Sequence, residues 1–235
     1  MTPAARRPRL LKLSGEALAA TDGILDHAVI DRVCTELLAG AKLAPVAVVV
    51  GGGNILRGAE LKSRAADPVR GDYMGMLATL INSLALCDGI ERQGGTCQVV
   101  APHAIPNVAR QYDRAQVLAW LAAGTVVVFG GGTGHPFFTT DTTAALRAAE
   151  IGAAELLKGS KVDGIYTADP KKDPAARRLD RLTFDQAVEG RYGVMDAAAF
   201  ALCRDNRIAI RVFDMTAPGA IAAALGPNPP GTVVA

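Results

Sequence analysis

Val126-Val127-Val128-Phe129-Gly130-Gly131-Gly132-Thr133-Gly134-His135-Pro136-Phe137-Phe138-Thr139-Thr140-Asp141 runs from an apolar block, through glycines, into an alanine-rich stretch that ends at Ile151. The block reads as a buried strand and residues 142–151 as a helix. Strand, glycine turn and helix in that order form the unit of a parallel sheet flanked by helices. Glycine lets backbone N–H groups approach a ligand closely, and a helix start concentrates such donors on an anion. Threonine hydroxyls and Asp141 crowd the same segment. A plain turn needs one or two of these features, so the stretch reads as a phosphate or nucleotide site.

The same alternation extends in both directions. Strands are expected at 9–13, 46–50, 97–101, 126–129, 155–157, 208–213 and 232–234. Helices are expected at 26–41, 72–89, 113–123, 142–151, 194–204 and 218–225. Val46 to Val50 is continuously apolar, as a strand covered on both faces requires. In the 72–89 helix, Met76, Leu77, Leu80, Ile81 and Leu84 fall at core spacing. Residues 161–182 are rich in Asp, Pro, Lys and Arg and read as irregular or hairpin-like. The fold class is therefore α/β, a mostly parallel sheet between helical layers. The texture changes near residue 155, which suggests one domain over 1–235 made of two lobes, about 9–155 and 156–235, sharing a sheet.

Bulk properties exclude several functions. The chain has 235 residues, half of them apolar and a fifth charged, which suits one large globular domain. Its 25 basic and 23 acidic residues give +2, with no concentrated basic face for nucleic acid. Cys34, Cys87, Cys97 and Cys203 form no CxxC pair, and His27, His103 and His135 lack metal-ligand spacing. No protein-held metal site is expected, and the thiols read as buried and reduced. No apolar run reaches the ~18 residues of a membrane helix, and no signal-peptide core follows the basic start. The expectation is a cytoplasmic protein without membrane contact.

Two common phosphate motifs, GxxxxGK[ST] and GxGxxG, do not occur. Other segments at strand ends carry the candidate chemistry. Lys12-Leu13-Ser14-Gly15-Glu16 sets a lysine and backbone donors where the first strand stops; a surface lysine before a turn is the alternative. Gly51-Gly52-Gly53-Asn54 follows the second strand, with Arg57 one turn on as a possible bidentate phosphate clamp. Asp72 opens the long helix and serves either as its cap or toward a ligand. Gly75, within that helix, permits close approach of a ligand or backbone. Asp141 could hold lysines toward a transferring phosphoryl group or cap its helix. Lys158-Gly159-Ser160-Lys161 offers two such lysines, and Tyr166, Asp169 and Pro170 follow.

Together, Lys12 to Leu18, Gly51 to Asn54, Gly71 to Met76, Thr133 to Asp141, Val162 to Pro170 and Arg211 to Asp214 closely resemble the bacterial uridylate kinase family of the amino-acid-kinase superfamily. The resemblance runs from about Arg9 to the C-terminus. It implies a three-layer αβα fold and transfer of a phosphoryl group from ATP to UMP, giving ADP and UDP, with Mg²⁺ accompanying ATP. It places UMP on the N-terminal lobe and ATP on the C-terminal one. On the ATP side it implies Lys12, Leu13, Ser14, Gly15, Gly53, Arg57, Ser160, Tyr166 and Asp169. On the UMP side it implies Gly52, Asp72, Thr133, Gly134, His135, Pro136, Phe137, Phe138, Thr139 and Thr140. Lys12, Arg57, Asp141 and one of Lys158 or Lys161 would act on the phosphoryl group. It also implies a homohexamer, with GTP as activator and UTP as inhibitor. The family commonly has asparagine at His135. Other acceptors of the superfamily (a carboxylate, carbamate or isopentenyl phosphate) and a non-catalytic nucleotide- or oxyanion-binding shell are the competing readings.

Overall fold

The computed structural model describes residues 6–19, 23–56, 67–170, 172–190, 192–193 and 195–235. In chain order the elements are β1 (Arg9–Leu13), a 3₁₀ turn (Gly15–Leu18), α1 (His27–Ala41), β2 (Val46–Val50), α2 (Pro68–Arg92), β3 (Cys97–Ala101), β4 (Arg110–Gln111), α3 (Arg114–Ala122), β5 (Val126–Phe129) and α4 (Thr140–Glu150). The second half adds β6 (Glu155–Ser160), β7 (Ile165–Tyr166), β8 (Arg178–Leu179), β9 (Arg181–Leu182), α5 (Phe184–Glu189), α6 (Ala197–Asp205), β10 (Ala209–Asp214), α7 (Ala220–Ala224) and β11 (Thr232–Val234).

Among the described residues, nine strands form one sheet in the order β4-β3-β5-β2-β1-β6-β10-β11-β9. Only the β10–β11 pairing is antiparallel. β7 and β8 pair separately as the expected hairpin. Side chains alternate across a strand, so each strand feeds two cores. Leu11, Leu13, Val46, Val48 and Val50 join Ile30, Val33, Leu86, Ile90 and Ile221 under α1, α2 and α7. Leu10, Ala47, Val49, Val127 and Leu156 join Val117, Leu121, Ala144, Ala148 and Phe200 under α3, α4 and α6. This is the three-layer αβα arrangement expected from the sequence. All of β2 is buried, as its unbroken apolar run required.

Most boundaries fall within a few residues of expectation, and caps explain the largest shifts. α2 begins at Pro68, capped by Asp67, whose carboxylate accepts from the Val69 N–H at 3.0 Å. Asp72 is therefore not a cap; it lies inside the helix. α6 begins after its cap Asp196, and the expected start at 194 lies outside the described residues. α5 was not expected from the sequence, although Thr183 and Gln186 form a capping box there.

The core face of α2 also differs from expectation. Leu80 is buried, but Leu77, Ile81 and Leu84 are 58%, 49% and 41% exposed. The inward face carries Ala78, Thr79, Asn82, Ser83, Leu86, Cys87 and Ile90 instead. By length and composition α2 could cross a bilayer, but half of its most apolar window is packed inside the fold.

Candidate active site

Residues of β1 and β6 pair in parallel with Lys12 opposite Lys158. Each lysine stands two residues beyond a buried leucine, Leu10 or Leu156, so both point to the α4 face. α4 packs there through Ala144, Ala145 and Ala148. Its first turn thus delivers Asp141 to both ammonium groups. Lys12 Nζ lies 3.0 Å from Asp141 Oδ1, and Lys158 Nζ 2.9 Å from Oδ2. These side chains are only 13–18% exposed, so their interactions are less screened than on an open surface. Burial pushes the Lys158 pKa below the ordinary lysine value; Asp141 works against that shift and Lys12 adds to it. Two cations on one anion leave a net positive charge, which suits a transferring phosphoryl group.

Thr139 caps α4, its hydroxyl accepting from the Asp141 and Thr142 N–H groups at 3.0 and 3.2 Å. The capping alternative for Asp141 is thereby excluded. The second lysine of this bridge is Lys158. Lys161 lies beyond the strand end, 64% exposed and 3.9 Å from Glu16 Oε2.

Among the described residues, three cavities share linings around this bridge. The first, about 550 Å³, is lined by Lys12, Gly51 to Gly53, Asp72, Gly75 and Phe137 to Thr140, among others. A smaller one, about 310 Å³, lies between Lys12, Ser14, Glu16, Lys158, Ser160 and Lys161. The third, about 560 Å³, is lined by Lys158, Ser160, Tyr166, Asp169, Pro170 and Tyr192. Lys12 belongs to the first two and Lys158 to the last two. One cavity can therefore hold an acceptor, another a donor, with the lysines between them.

The glycines have separable reasons. A Cβ on Gly15 would lie 2.4 Å from the Gly51 carbonyl oxygen, so the loops after β1 and β2 need bare backbone to pack. Gly131, Gly132 and Gly134 have φ of +78°, +60° and +83°, which glycine adopts without strain. A Cβ on Gly75 would meet open space on the first cavity, the setting for ligand approach rather than backbone packing.

The candidate residues distribute unevenly. Phe137, Phe138, Thr139 and Thr140 line the first cavity. Thr133, Gly134, His135 and Pro136 form the turn preceding them, where the Thr133 hydroxyl accepts from the His135 N–H at 3.2 Å. Asp72 Oδ2 accepts from the Phe137 N–H at 2.7 Å and so orders this loop. Gly52 and Gly53 both line the first cavity. Ser14 and Gly15 border it too, and Leu13 is fully buried, leaving only its backbone for a ligand. The Tyr166 hydroxyl donates to Asp163 at 2.7 Å, fixing the ring at the third cavity. Arg57 lies outside the described residues.

Residues 8–214 match the amino acid kinase family. The chain belongs to that family, in its uridylate kinase branch. A uridylate kinase of Bradyrhizobium sp. (strain BTAi1 / ATCC BAA-1182) is 53% identical over 228 residues, covering 96% of both chains. One from Bradyrhizobium diazoefficiens is 51% identical over 237 residues and all of both chains. Among solved structures, a UMP kinase from Ureaplasma parvum superposes with a TM-score of 0.93 at 34% identity, covering 99% of this chain and 100% of that one.

One residue of this amino acid kinase site was not picked out from the sequence. Asp196 caps α6 by accepting from the Ala199 N–H at 2.8 Å. It also accepts from the hydroxyls of Thr139 and, at 2.9 and 3.0 Å, Thr142. Burial alone would raise its pKa, but the bonds from Thr139, Ala199 and Thr142 outweigh that and hold the carboxyl below its usual range. It ties the second half of the chain to the helix start that aims Asp141. The expected helix start at Val194 hid it; a capping rule applied to Asp196-Ala197 would have found it. Asp196→Ala is expected to lower kcat about tenfold through a misaimed Asp141, and stability by about 1 kcal/mol through the lost cap. Steady-state kinetics and urea unfolding check the two parts.

Proposed function

We infer that this chain is a UMP kinase that transfers the γ-phosphoryl group of ATP to UMP, releasing UDP and ADP. The observation that carries this reading is the Lys12–Asp141–Lys158 bridge at the junction of the cavities. The relatives add the substrate: proteins about 50% identical over nearly the whole chain are named uridylate kinases.

In this reading UMP occupies the cleft of Gly52, Asp72 and the Phe137–Thr140 loop, on the N-terminal lobe of about 9–155. ATP lies over Ser160, Tyr166 and Asp169, on the C-terminal lobe of about 156–235. Its phosphates run across Ser14, Gly15 and Lys158 toward the acceptor. Lys12 and Lys158 follow charge onto the oxygens of the moving group, and Asp141 holds both in place. No side chain forms a covalent intermediate, because positioning and charge neutralisation suffice.

Mg²⁺ fits this donor set as an ion carried by ATP. Among the described residues no group of three or more His, Cys, Asp or Glu could cage a metal, and both Asp141 oxygens face ammonium groups. Mg²⁺ is commonly held through substrate phosphates and water. When bound it would neutralise phosphate charge; the residues nearest that path are Ser14, Lys158 and Ser160.

The same reading includes a cytoplasmic enzyme of pyrimidine nucleotide synthesis that forms a homohexamer. The exposed face of α2, with Tyr73, Leu77, Ile81 and Leu84, supports self-association, because an apolar stripe of this kind marks a contact surface. Leu77→Asp with Ile81→Asp is expected to give a smaller particle by light scattering; an unchanged mass would place the contact elsewhere. GTP activation and UTP inhibition rest on the resemblance alone.

A substrate panel tests the function. With ATP, UMP should be the preferred acceptor over CMP, small carboxylic acids, carbamate and isopentenyl phosphate. ATP consumption with one of the latter and none with UMP would refute it.

A further inference from the structure

The inward face of α2 carries three buried polar side chains, Thr79, Asn82 and Ser83, among the apolar ones. Asn82 lies there, fully buried, against the glycine loop that follows β2. Its Nδ2 donates to the Gly51 carbonyl at 2.6 Å and to Asn54 Oδ1 at 2.7 Å. Asn54 Nδ2 returns a bond to Asn82 Oδ1 at 3.0 Å and donates to the Ile24 carbonyl at 2.8 Å. The two amides thus close a reciprocal pair around the loop. One turn earlier, Thr79 does the same for the other glycine loop: its hydroxyl accepts from the Gly131 N–H at 2.7 Å and donates to the Met76 carbonyl at 2.7 Å.

The consequence for Gly51 follows from peptide geometry. In a trans peptide the C=O and the following N–H point in opposite directions. With the Gly51 carbonyl held toward Asn82, the Gly52 N–H is turned away from it. Gly51, Gly52 and Gly53 all line the first cavity. A glycine peptide has little intrinsic preference for this orientation, so something must hold it. A buried amide making three hydrogen bonds does so at little entropic cost, because its own position is set by the helix.

We propose that Asn82 is a positioning residue for the phosphoryl acceptor, setting the Gly51–Gly52 peptide so that the Gly52 N–H is presented to the acceptor phosphate. Asn54 supports it from the solvent side. Neither side chain touches the reacting atoms. The proposal rests on the assignment of this cavity to UMP.

The test separates the two substrates. Asn82→Ala frees the Gly51 carbonyl and should raise KM for UMP about tenfold and lower kcat about tenfold, with KM for ATP changed less than about threefold. KM does not depend on how much of the enzyme is folded, so a loss of folded protein cannot imitate this pattern. Asn54→Ala keeps the Asn82–Gly51 bond and is the variant to read if Asn82→Ala does not fold. It should raise KM for UMP about threefold with KM for ATP unmoved. An unchanged KM for UMP in a folded variant overturns the positioning role while leaving the UMP assignment intact. A rise confined to KM for ATP overturns that assignment, and the proposal with it.

Discussion

Asp141→Ala is expected to lower kcat about a thousandfold while the fold is retained. The carboxylate holds two ammonium groups at 3.0 and 2.9 Å in a mostly buried site. Without it, Lys12 and Lys158 repel each other at the point where both must meet the phosphoryl group. Burial and Lys12 already push the Lys158 pKa down, and Asp141, with a smaller contribution from Asp196, opposes them. In the proposed mechanism the active form has Lys158 charged, so activity is lost as pH rises through its pKa. In the native enzyme that alkaline limb should lie below the ordinary lysine value. In Asp141→Asn, which keeps the shape but not the charge, it should move to still lower pH. A kcat/KM–pH profile from a coupled ADP assay, which reports the groups of the free enzyme, reads both effects. Near-native UDP formation by Asp141→Ala would remove Asp141 from the mechanism.

The second large effect concerns stability. Glu36, on α1, is only 6% exposed. Its Oε1 accepts from the Gly219 N–H at 3.0 Å, and its Oε2 from Ile221 and Ala222 at 2.8 and 3.4 Å. Arg32 pairs with it at 3.0 Å and also donates to the Met215 carbonyl at 3.3 Å. α7 has no side-chain cap of its own, since Gly219 stands at the N-cap with φ +80°. Glu36 therefore caps it from a distant helix. Glu36→Ala leaves the buried Ile221 N–H and the part-buried Gly219 and Ala222 N–H groups unpaired, and Arg32 without its carboxylate partner. The expected loss is about 3 kcal/mol, taken at the low end for breaking a buried pair. For a chain of this size that is roughly 6–12 °C in Tm. Urea unfolding should show a lower midpoint with an unchanged slope. A Tm within about 1 °C of native would contradict the capping role.

Much of the fold was legible because the strands are unusually plain. Val46–Val50 and Val126–Phe129 are apolar throughout, and central parallel strands are covered on both faces. Asp26 and Asp113 mark the starts of α1 and α3 by the side-chain bonds expected of caps. α2 misled because periodicity tells which residues share a face, not which face meets the core. Its outward stripe is more apolar than its inward one, where Thr79 and Asn82 bond to glycine loops. β6 runs to Ser160 because Lys158 and Gly159 continue the pairing with β10, a contact no local pattern reveals.

The site was legible as a set of strand-end segments, not as a geometry. That Lys12 faces Lys158 depends on the β1–β6 register, which joins distant parts of the chain. The same register brings Lys158, and not Lys161, to Asp141. Asn82 and Asp196 gave no signal as site residues because they act on backbone and hydroxyls, where a single Asn inside a helix or an Asp at its cap looks ordinary. Their effect appears only when the loops they hold are in place.

A crystal structure with UMP and a non-hydrolysable ATP analogue tests the central claim most directly. The γ-phosphate should lie within hydrogen-bond distance of both Lys12 and Lys158. The UMP phosphate should occupy the cavity of Gly52 and Asp72, and the adenine should lie beside Tyr166 and Asp169. A triphosphate in the Gly52–Asp72 cavity, or a γ-phosphate away from the two lysines, would contradict the account.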